Sequence, residues 1–418
     1  MRFRSLALAA VAALVLVGCD AASDTTPIAN ADAPLGGDSK MGHAVLSDEK
    51  ALSGDLLEST LLADLPLSTA LRAVNDDFTF RSRGAVFVLS NDETENSVIA
   101  FARAEDGTLS PFDTYPTGGQ GAPPLGASTD PIIIGGFRGK YLYAVNAGSD
   151  EISVFRINGD GLEFYGNTPS GGAQPMSLTA SDNRLYVLNS GRDSEAGNVT
   201  GFEIRPNGRL RALGVTAELP GSFGIGGPPQ IGFDPAGQTV TVTDRPSNQI
   251  AIYPVNMDGS LGMPEVTASN GPTPFGFDHD ASGRLFVSEA NGGTPDASFL
   301  TSYDQTGTSL SVISGSVDTN ETAACWARVI GNYVYTTNTA SGTITGFEIG
   351  DDGSLSLLDD DGITANTAAN PRDLNIALRY LYAQSDGQID AFRIGEDGSL
   401  TSIGTVAVPM TARGVATR

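Results

Sequence analysis

A short pattern returns seven times along this chain and constrains its fold more than any other feature. Each copy consists of an apolar run, a tight turn that contains a glycine, and a leucine just after the turn. The turn glycines are Gly107, Gly161, Gly208, Gly259, Gly307, Gly353 and Gly398. They lie 45 to 54 residues apart, a period typical of β-propellers, in which each repeat forms one blade. The repeats therefore predict an all-β ring of seven blades.

The third repeat shows why each copy predicts four strands. RLYVLN (184–189) and VTGFEIRP (199–206) alternate apolar and polar residues, as half-buried strands do. Asn-Gly at 207–208 suits a hairpin turn, because both residues tolerate a positive φ. RLRALGV (209–215) then returns as the outer strand, and PMSLTAS (175–181) precedes all three as an inner strand. Such blades bury their faces only by stacking on their neighbours.

Two further expectations follow from aligning the repeats. Aromatic residues of the second and third strands should form the core between blades: Tyr143, Phe155, Tyr186, Phe202, Phe286, Tyr335, Phe347, Tyr382 and Phe392. The first repeat lacks an inner strand, since Gly84–Ser90 already resembles a second strand, whereas ARGVAT (412–417) has inner-strand character. We therefore expect the C-terminal strand to join the first blade and close the ring, which removes exposed edges.

The N-terminus resembles the signal of a bacterial lipoprotein. Two arginines precede an apolar run that ends in Leu-Val-Gly-Cys at 16–19, which matches a lipobox. This predicts a signal peptide over residues 1–18 and a lipidated Cys19, so that acyl chains alone attach the protein to the membrane. Residues 19–80 are interpreted as a flexible tether with a short helical segment, and residues 81–418 as the propeller. The expected location is the cell envelope, either periplasmic or on the cell surface.

Composition excludes several classes of function. The formal net charge is −25, and phosphate contacts need Lys and Arg, so nucleic acid is not an expected partner. The sequence has two histidines and no HExxH, CxxC or complete EF-hand loop, so no metal site is predicted. No phosphate-binding loop or GxSxG motif is present either. No cofactor is expected.

Candidate site residues lie at one mouth of the central channel. The alignment places the polar residue that ends each second strand near the residue that opens each inner strand. The residues expected to bind a ligand there are Gln230, Asp244, Arg245, Phe275, Trp326 and Asn338, and those expected to act on it are Glu289, Arg372 and Arg413. Arginines paired with carboxylates in a concave site suit an anionic, oxygen-rich small molecule. The same residues could instead close the channel as buried ion pairs and turn caps.

Over about residues 84–418 the repeats resemble the lactonase-type seven-bladed propellers, the 6-phosphogluconolactonase-like and carboxymuconate-cyclase-like proteins. The segments that carry the resemblance include GPTPFGFDHDASGRLFVSEANGGTP (271–295) and NPRDLNIALRYLYAQSDGQIDAFRIGEDGSL (370–400). Inner strands of the family's enzymes often read Pro-Arg-His. Arg372 and Arg413 match that Arg, and Glu289 matches a Glu that ends a second strand, but Asp373 and Gly414 stand at the His positions.

Two hypotheses about function remain open. In the first, the protein is an enzyme that hydrolyses a sugar or organic-acid lactone, or forms one as a cyclase does. Glu289 would then be the general base, and Arg372 and Arg413 would hold the carbonyl or carboxylate. In the second, the propeller is not catalytic and binds a ligand or a protein partner of the envelope.

Overall fold

The structure is a computed structural model that describes residues 84–122, 128–224 and 227–418. The predicted signal peptide, the whole predicted tether and the first three residues of the predicted propeller, 81–83, lie outside these residues. In chain order the strands are β1 (Ala85–Leu89), β2 (Ser97–Arg103), β3 (Leu109–Pro116), β4 (Ile132–Gly135), β5 (Tyr141–Asn146), β6 (Glu151–Asn158), β7 (Gly161–Pro169), β8 (Pro175–Ser181), β9 (Arg184–Arg192), β10 (Glu195–Ile204), β11 (Leu210–Glu218), β12 (Ile231–Phe233), β13 (Thr239–Asp244), β14 (Gln249–Pro254), β15 (Glu265–Ala268), β16 (Pro274–His279), β17 (Leu285–Glu289), β18 (Phe299–Thr306), β19 (Ser309–Asp318), β20 (Ala324–Ile330), β21 (Tyr333–Asn338), β22 (Thr343–Ile349), β23 (Leu355–Leu357), β24 (Ala365–Asn366), β25 (Asp373–Ala377), β26 (Tyr380–Ser385), β27 (Gln388–Ile394), β28 (Leu400–Ala407) and β29 (Arg413–Thr417).

These strands form seven antiparallel sheets, one for each repeat. Blade 1 contains β1–β3 and β29, and each later blade takes the next four strands, with the short β24 added in blade 6. Each blade therefore has an inner, a second, a third and an outer strand. Two short 3-10 helices, Phe137–Gly139 and Asn291–Gly293, lie in connections. The predicted seven-bladed fold is confirmed.

The ring closes as the sequence predicts. Strand β29 pairs antiparallel with β1, from Leu89 opposite Arg413 to Val86 opposite Thr417. At its end the backbone of Arg418 exchanges two hydrogen bonds with Ala85, and Arg103 Nη2 donates to the Arg418 carbonyl at 3.0 Å. Both ends of the propeller are thus joined in a single sheet, and blade 1 needs the last residues of the chain to be complete.

The core lies between neighbouring blades, as expected for stacked sheets with two apolar faces. All nine aromatic side chains predicted for it are buried, with at most 3% of any one exposed. One cluster joins residues of blades 1, 2 and 3, and another joins blades 5, 6 and 7. The predicted inter-blade core is confirmed.

Tyrosines of the second strands also connect the blades by hydrogen bonds. In each case the hydroxyl donates to the carbonyl of the turn glycine in the next blade. The pairs are Tyr143 with Gly208, Tyr186 with Gly259, Tyr335 with Gly398 and Tyr382 with Gly107, at 2.7 to 3.0 Å. The last pair joins blade 7 to blade 1. The turn that defines the repeat therefore also carries a contact across each of these blade boundaries.

The described residues all belong to one compact unit. Within the described residues, no helix has the length and apolar character needed to span a membrane.

Candidate functional site

The predicted site residues come from one end of the channel, which we call the rim: the end where inner strands begin and second strands finish. The antiparallel register establishes this placement. Pro274 lies opposite Glu289, Ala324 opposite Asn338, and Asp373 opposite Gln384. His279 pairs with Leu285 at the far end of the same sheet. The alignment of the repeats therefore placed the candidate residues at the correct ends of their strands.

Three of the predicted ligand-binding residues contact one another at the rim. The rings of Phe275 and Trp326 meet edge to face, with centroids 5.0 Å apart and an interplanar angle of 62°. The guanidinium carbon of Arg245 lies 5.5 Å from the centre of the Phe275 ring. Both aromatic side chains are fully buried. Blades 4, 5 and 6 thus supply a buried aromatic pair with a cation stacked against Phe275.

The two arginines expected to act on the ligand stand on the next two blades. Arg372 directly precedes the inner strand of blade 7, and its guanidinium lies 3.4 Å from the carboxylate of Asp386. Arg413 opens the inner strand of blade 1 and donates to the Ala412 carbonyl at 2.6 Å. The two inner strands are in contact, because Val415 N donates to the Asp373 carboxylate at 2.9 Å. Arg372 and Arg413 therefore lie at the same end of adjacent strands.

Glu289, the predicted general base, is held by four donors from its own blade and the linker before it. Oε1 accepts from Ser269 Oγ at 2.8 Å and from Gly271 N at 2.7 Å. Oε2 accepts from Thr301 Oγ1 at 2.8 Å and Ser316 Oγ at 3.2 Å. Burial raises the pKa of this carboxyl, although the four hydrogen bonds oppose the shift. In this structure, the carboxylate fastens blade 5 together.

Asp244 and Asn338 occupy the equivalent position in their blades. Asp244 Oδ2 accepts from the backbone and side chain of Ser247, at 3.0 and 2.6 Å, and burial raises the pKa of Asp244. Asn338 Nδ2 donates to Thr343 and Thr345.

A linker glycine packs directly on this position in four blades, so that a Cβ there would lie less than 3 Å from the polar side chain. The pairs are Gly119 with Asn146, Gly172 with Asn189, Gly227 with Asp244 and Gly271 with Glu289. Because this contact recurs in four blades, the polar residue that ends the second strand has a structural role. It holds the linker in place against its blade.

Gln230 contacts a buried cluster of charged residues that the sequence analysis did not predict. Its Nε2 donates to Asp130 Oδ2 at 3.2 Å, and its amide also pairs with the backbone N–H and carbonyl of Phe277. Asp130 forms a salt bridge with Arg328, from the inner strand of blade 6. Burial raises the pKa of Asp130, and it raises that of the nearby Asp373 to about 8. The cluster formed by Asp130, Arg328 and Asp373 holds more carboxylates than cations, which favours a retained proton.

Ser128–Asp130 cross the channel to reach these partners. Trp326 Nε1 donates to the Ser128 carbonyl at 3.0 Å, and Thr129 N donates to the Pro229 carbonyl at 3.0 Å. The Ser128 hydroxyl bonds to the Met176 carbonyl. This linker thus contacts blades 3, 4 and 6, and it covers part of the Trp326 side chain. The only sequence signals were an Asp before a Pro at 130–131 and an isolated Arg in the apolar run CWARVI (325–330).

The described residues contain no cluster of His, Cys, Asp or Glu side chains suited to hold a metal ion. The rim offers arginine donors and carboxylates near them. Such an array can bind an oxygen-rich anion and stabilise negative charge on it.

Comparison with known proteins identifies the family. A family model described as "Lactonase, 7-bladed beta-propeller" matches residues 77–222 and 194–322, together more than half of the chain. The chain belongs to this lactonase family. No curated protein matches the sequence.

Solved structures show the same fold at low sequence identity. The periplasmic gluconolactonase of Pseudomonas aeruginosa is 14% identical, with a TM-score of 0.64 over 80% of this chain and 99% of that one. A candidate 6-phosphogluconolactonase from Bacteroides fragilis is 17% identical, with a TM-score of 0.60 over 81% and 98%. A second one, from Bacteroides uniformis, is 18% identical, with a TM-score of 0.61 over 80% and 99%. At such identities the similarity concerns the fold.

Cys19, the predicted lipidation site, lies outside the described residues. Cys325 on the inner strand of blade 6 is buried. The lipidation of Cys19 stays a prediction.

Proposed function

We propose that the protein is a lactonase that binds a sugar or organic-acid lactone at the rim and hydrolyses it. The observation that carries this proposal is the array of three arginines that blades 4, 7 and 1 contribute to one end of the channel: Arg245, which stacks on the buried ring of Phe275, Arg372 and Arg413. Membership of the lactonase family supports the choice of substrate class.

In the proposed reaction, water attacks the lactone carbonyl and the ring C–O bond breaks, which yields a hydroxy acid. Arg372 and Arg413 would donate to the carbonyl oxygen and stabilise the negative charge that develops there. A carboxylate would accept the proton of the attacking water, and the departing ring oxygen would take up a proton to become a hydroxyl. The opposite direction would make the site a lactone-forming cyclase.

Two carboxylates are candidates for the base. Glu289 has the raised pKa that suits a base near neutral pH, but each of its oxygens already accepts two hydrogen bonds. Asp386 lies on the rim beside Arg372 and accepts from Asn370 Nδ2 at 2.7 Å. Its side chain is 16% exposed, so a water can reach it. We therefore favour Asp386, which the sequence did not single out.

The test is hydrolysis of a panel of small lactones by the purified protein and by matched variants. Arg372→Gln and Asp386→Asn should each lower kcat/KM by at least about 100-fold, as the loss of an oxyanion donor or a general base does. Arg379→Gln and Asp160→Asn, which alter exposed residues at the opposite end of the blades from the rim, serve as controls. Glu289→Gln then distinguishes the two candidate bases, provided that near-UV circular dichroism shows an intact fold.

The second hypothesis is a propeller that binds a ligand or an envelope protein without catalysis. It is supported by the four hydrogen bonds that the Glu289 carboxylate already accepts, because they give this residue a structural role. No turnover on any lactone, together with saturable binding of a lactone or hydroxy acid that Arg372→Gln abolishes, would establish it. If the protein showed neither turnover nor binding of a lactone or hydroxy acid, both the lactonase proposal and the proposal of a small-molecule binding site at the rim would be wrong.

We also propose export to the cell envelope and attachment through lipid on Cys19. The lipobox at 16–19 supports this, and the fold relative from Pseudomonas aeruginosa is described as periplasmic. Labelled palmitate should be incorporated into the wild-type protein in bacterial cells but not into Cys19→Ala. A non-reducing peptide map that shows Cys19 bonded to Cys325 would contradict lipidation.

A further inference from the structure

A pocket opens on blades 2 and 3, at the end of the strands opposite to the rim. It is lined by Ile134–Gly139, Ala180, Asp182–Asn183 and Glu203–Pro206 and has a volume of about 800 Å³. The inner strand of blade 2 separates the two sites, since Ile132 opens it at the rim and Gly135 ends it beside the pocket. The volume is that of a site for a small molecule.

The interior of this pocket is largely apolar. Ile134, Ala180 and Ile204 contribute aliphatic surface, and Gly135, Gly136 and Gly139 contribute no side chains that would fill it. Phe137 stands at the opening with 66% of its side chain exposed. Exposing an aromatic ring of this size to water has a cost of about 2 kcal/mol relative to burial. A bound apolar group would remove that cost.

The pocket is also a site of positive charge on a strongly acidic protein. Arg138 and Arg205 line it. Arg138 and Lys140, which stands beside the lining, lie against the Phe137 ring at 5.1 and 5.9 Å from its centre. None of the three forms an ion pair with a carboxylate of the described residues.

Two carboxylates line the pocket as well. Glu203 forms a salt bridge with Arg211, which leaves Asp182 as the one lining carboxylate that opposes an anion. Arg138 and Arg205 in the lining, with Lys140 beside Phe137, outweigh this remaining negative charge. A protein with a net charge of −25 has many acids available to pair with these cations, yet Arg138 and Arg205 line an apolar cavity instead.

From these observations we propose that the blade 2–3 pocket binds a small amphipathic anion. The ligand has an aromatic or aliphatic body that covers Phe137 and the apolar floor, and one carboxylate, sulfonate or phosphate that pairs with Arg205 and Arg138. This binding site is separate from the rim and does not depend on the lactonase proposal.

The experiment uses the fluorescent probe 1-anilinonaphthalene-8-sulfonate and its uncharged counterpart N-phenyl-1-naphthylamine, titrated into the purified full chain. The sulfonate should bind saturably with one site per chain. Arg205→Gln and Arg138→Asn should each weaken sulfonate binding by at least about fivefold while changing binding of the neutral analogue less than about twofold. Asn tolerates the left-handed backbone of residue 138, where φ is 59°. Phe137→Ala should weaken binding of both probes.

Arg379→Gln is the matched control, because Arg379 is an exposed arginine in the corresponding connection between the inner and second strands of blade 7. It should leave both affinities unchanged. Equal weakening by Arg379→Gln and Arg205→Gln would show a general charge effect and overturn the proposal. Binding that never saturates, or that survives Phe137→Ala together with Arg205→Gln, would overturn it as well.

The amphipathic anion could be a free metabolite or the headgroup region of a lipid. Dodecyl phosphate competing with the probe, without binding of the chain to vesicles, would identify a free ligand. Co-sedimentation with phosphatidylglycerol vesicles but not with phosphatidylcholine vesicles would identify a lipid, if Arg205→Gln reduces it. The vesicle arm uses the full chain with Cys19→Ala, so that no acyl chain at residue 19 contributes. The proposal would be contradicted if dodecyl phosphate failed to compete with the probe and the chain also failed to co-sediment with vesicles.

Discussion

Gly107 and Gly283 share a left-handed backbone, with φ of 86° and 88°, but differ in what surrounds them. A Cβ on Gly107 would lie 2.2 Å from the Tyr380 ring, whereas a Cβ on Gly283 would meet nothing within 4 Å. We expect Gly283→Ala to lower the free energy of unfolding by about 1 kcal/mol through backbone strain alone. Gly107→Ala should cost a further 1–3 kcal/mol or so from overpacking. Urea unfolding measures both, and equal losses would show that the turn does not pack tightly on blade 7.

Asp373 gives the protein a pH dependence with a definite sign. Burial raises its pKa to about 8 in the folded state, Arg328 opposes the shift, and Asp130 adds to it. An unfolded chain has the ordinary value near 3.8. Between these values the folded state binds more protons, so the contribution of Asp373 to stability is lost as the pH rises through 8. Asp373→Asn should flatten the dependence of the unfolding free energy on pH between 5 and 8. An unchanged slope would mean that the carboxyl is ionised in the fold.

At the scale of the strand, the C-terminal β29 completes blade 1 and carries the closure of the ring. Deleting residues 412–418 should expose β1 as an edge and remove the buried side chains of Val415 and Ala416. We expect the melting temperature to fall by at least about 10 °C, because several kcal/mol of burial are lost. A synthetic peptide of residues 409–418 should restore part of the loss. A truncated protein that melts like the full chain would contradict the closure.

The strands were predictable because every repeat shows the same local signals. Apolar and polar residues alternate along each strand, and a glycine stands where φ must be positive. The inner strand of blade 1 could be assigned to ARGVAT only because six other blades showed what was missing. The site was predictable less completely. Arg372, Arg413, Phe275 and Trp326 lie at the rim because their strand positions place them there.

The direction in which a side chain points, and its partners, depend on other blades. Alignment placed Glu289 at the rim end of its strand, but it could not show that Ser269, Gly271, Thr301 and Ser316 surround the carboxylate. Asp130 was missed for the same reason. Its partners Gln230 and Arg328 lie 100 and 198 residues away in sequence, and a linker that crosses the channel leaves no periodic pattern.

For the whole molecule, net charge is a source of instability that salt should relieve. The chain carries 49 acidic and 24 basic residues, and eight of the 17 basic residues within the described ranges lie on blades 2 and 3 between residues 138 and 211. Acidic groups on the other blades therefore have few cations near them. Repulsion among them opposes compaction, and salt shortens its range from about 30 Å at 0.01 M to about 8 Å at 0.15 M ionic strength.

We therefore expect the melting temperature at pH 7 to rise by several degrees as NaCl increases from about 10 mM to about 300 mM, because screening lowers the repulsion within the fold. The matched condition is pH 4.2, the calculated isoelectric point, where the net charge is near zero and the same salt step should have almost no effect. Both scans use differential scanning calorimetry, with KCl in place of NaCl as a check for a specific ion. A salt effect of equal size at both pH values would assign the stabilisation to hydration of the salt rather than to screening of charge.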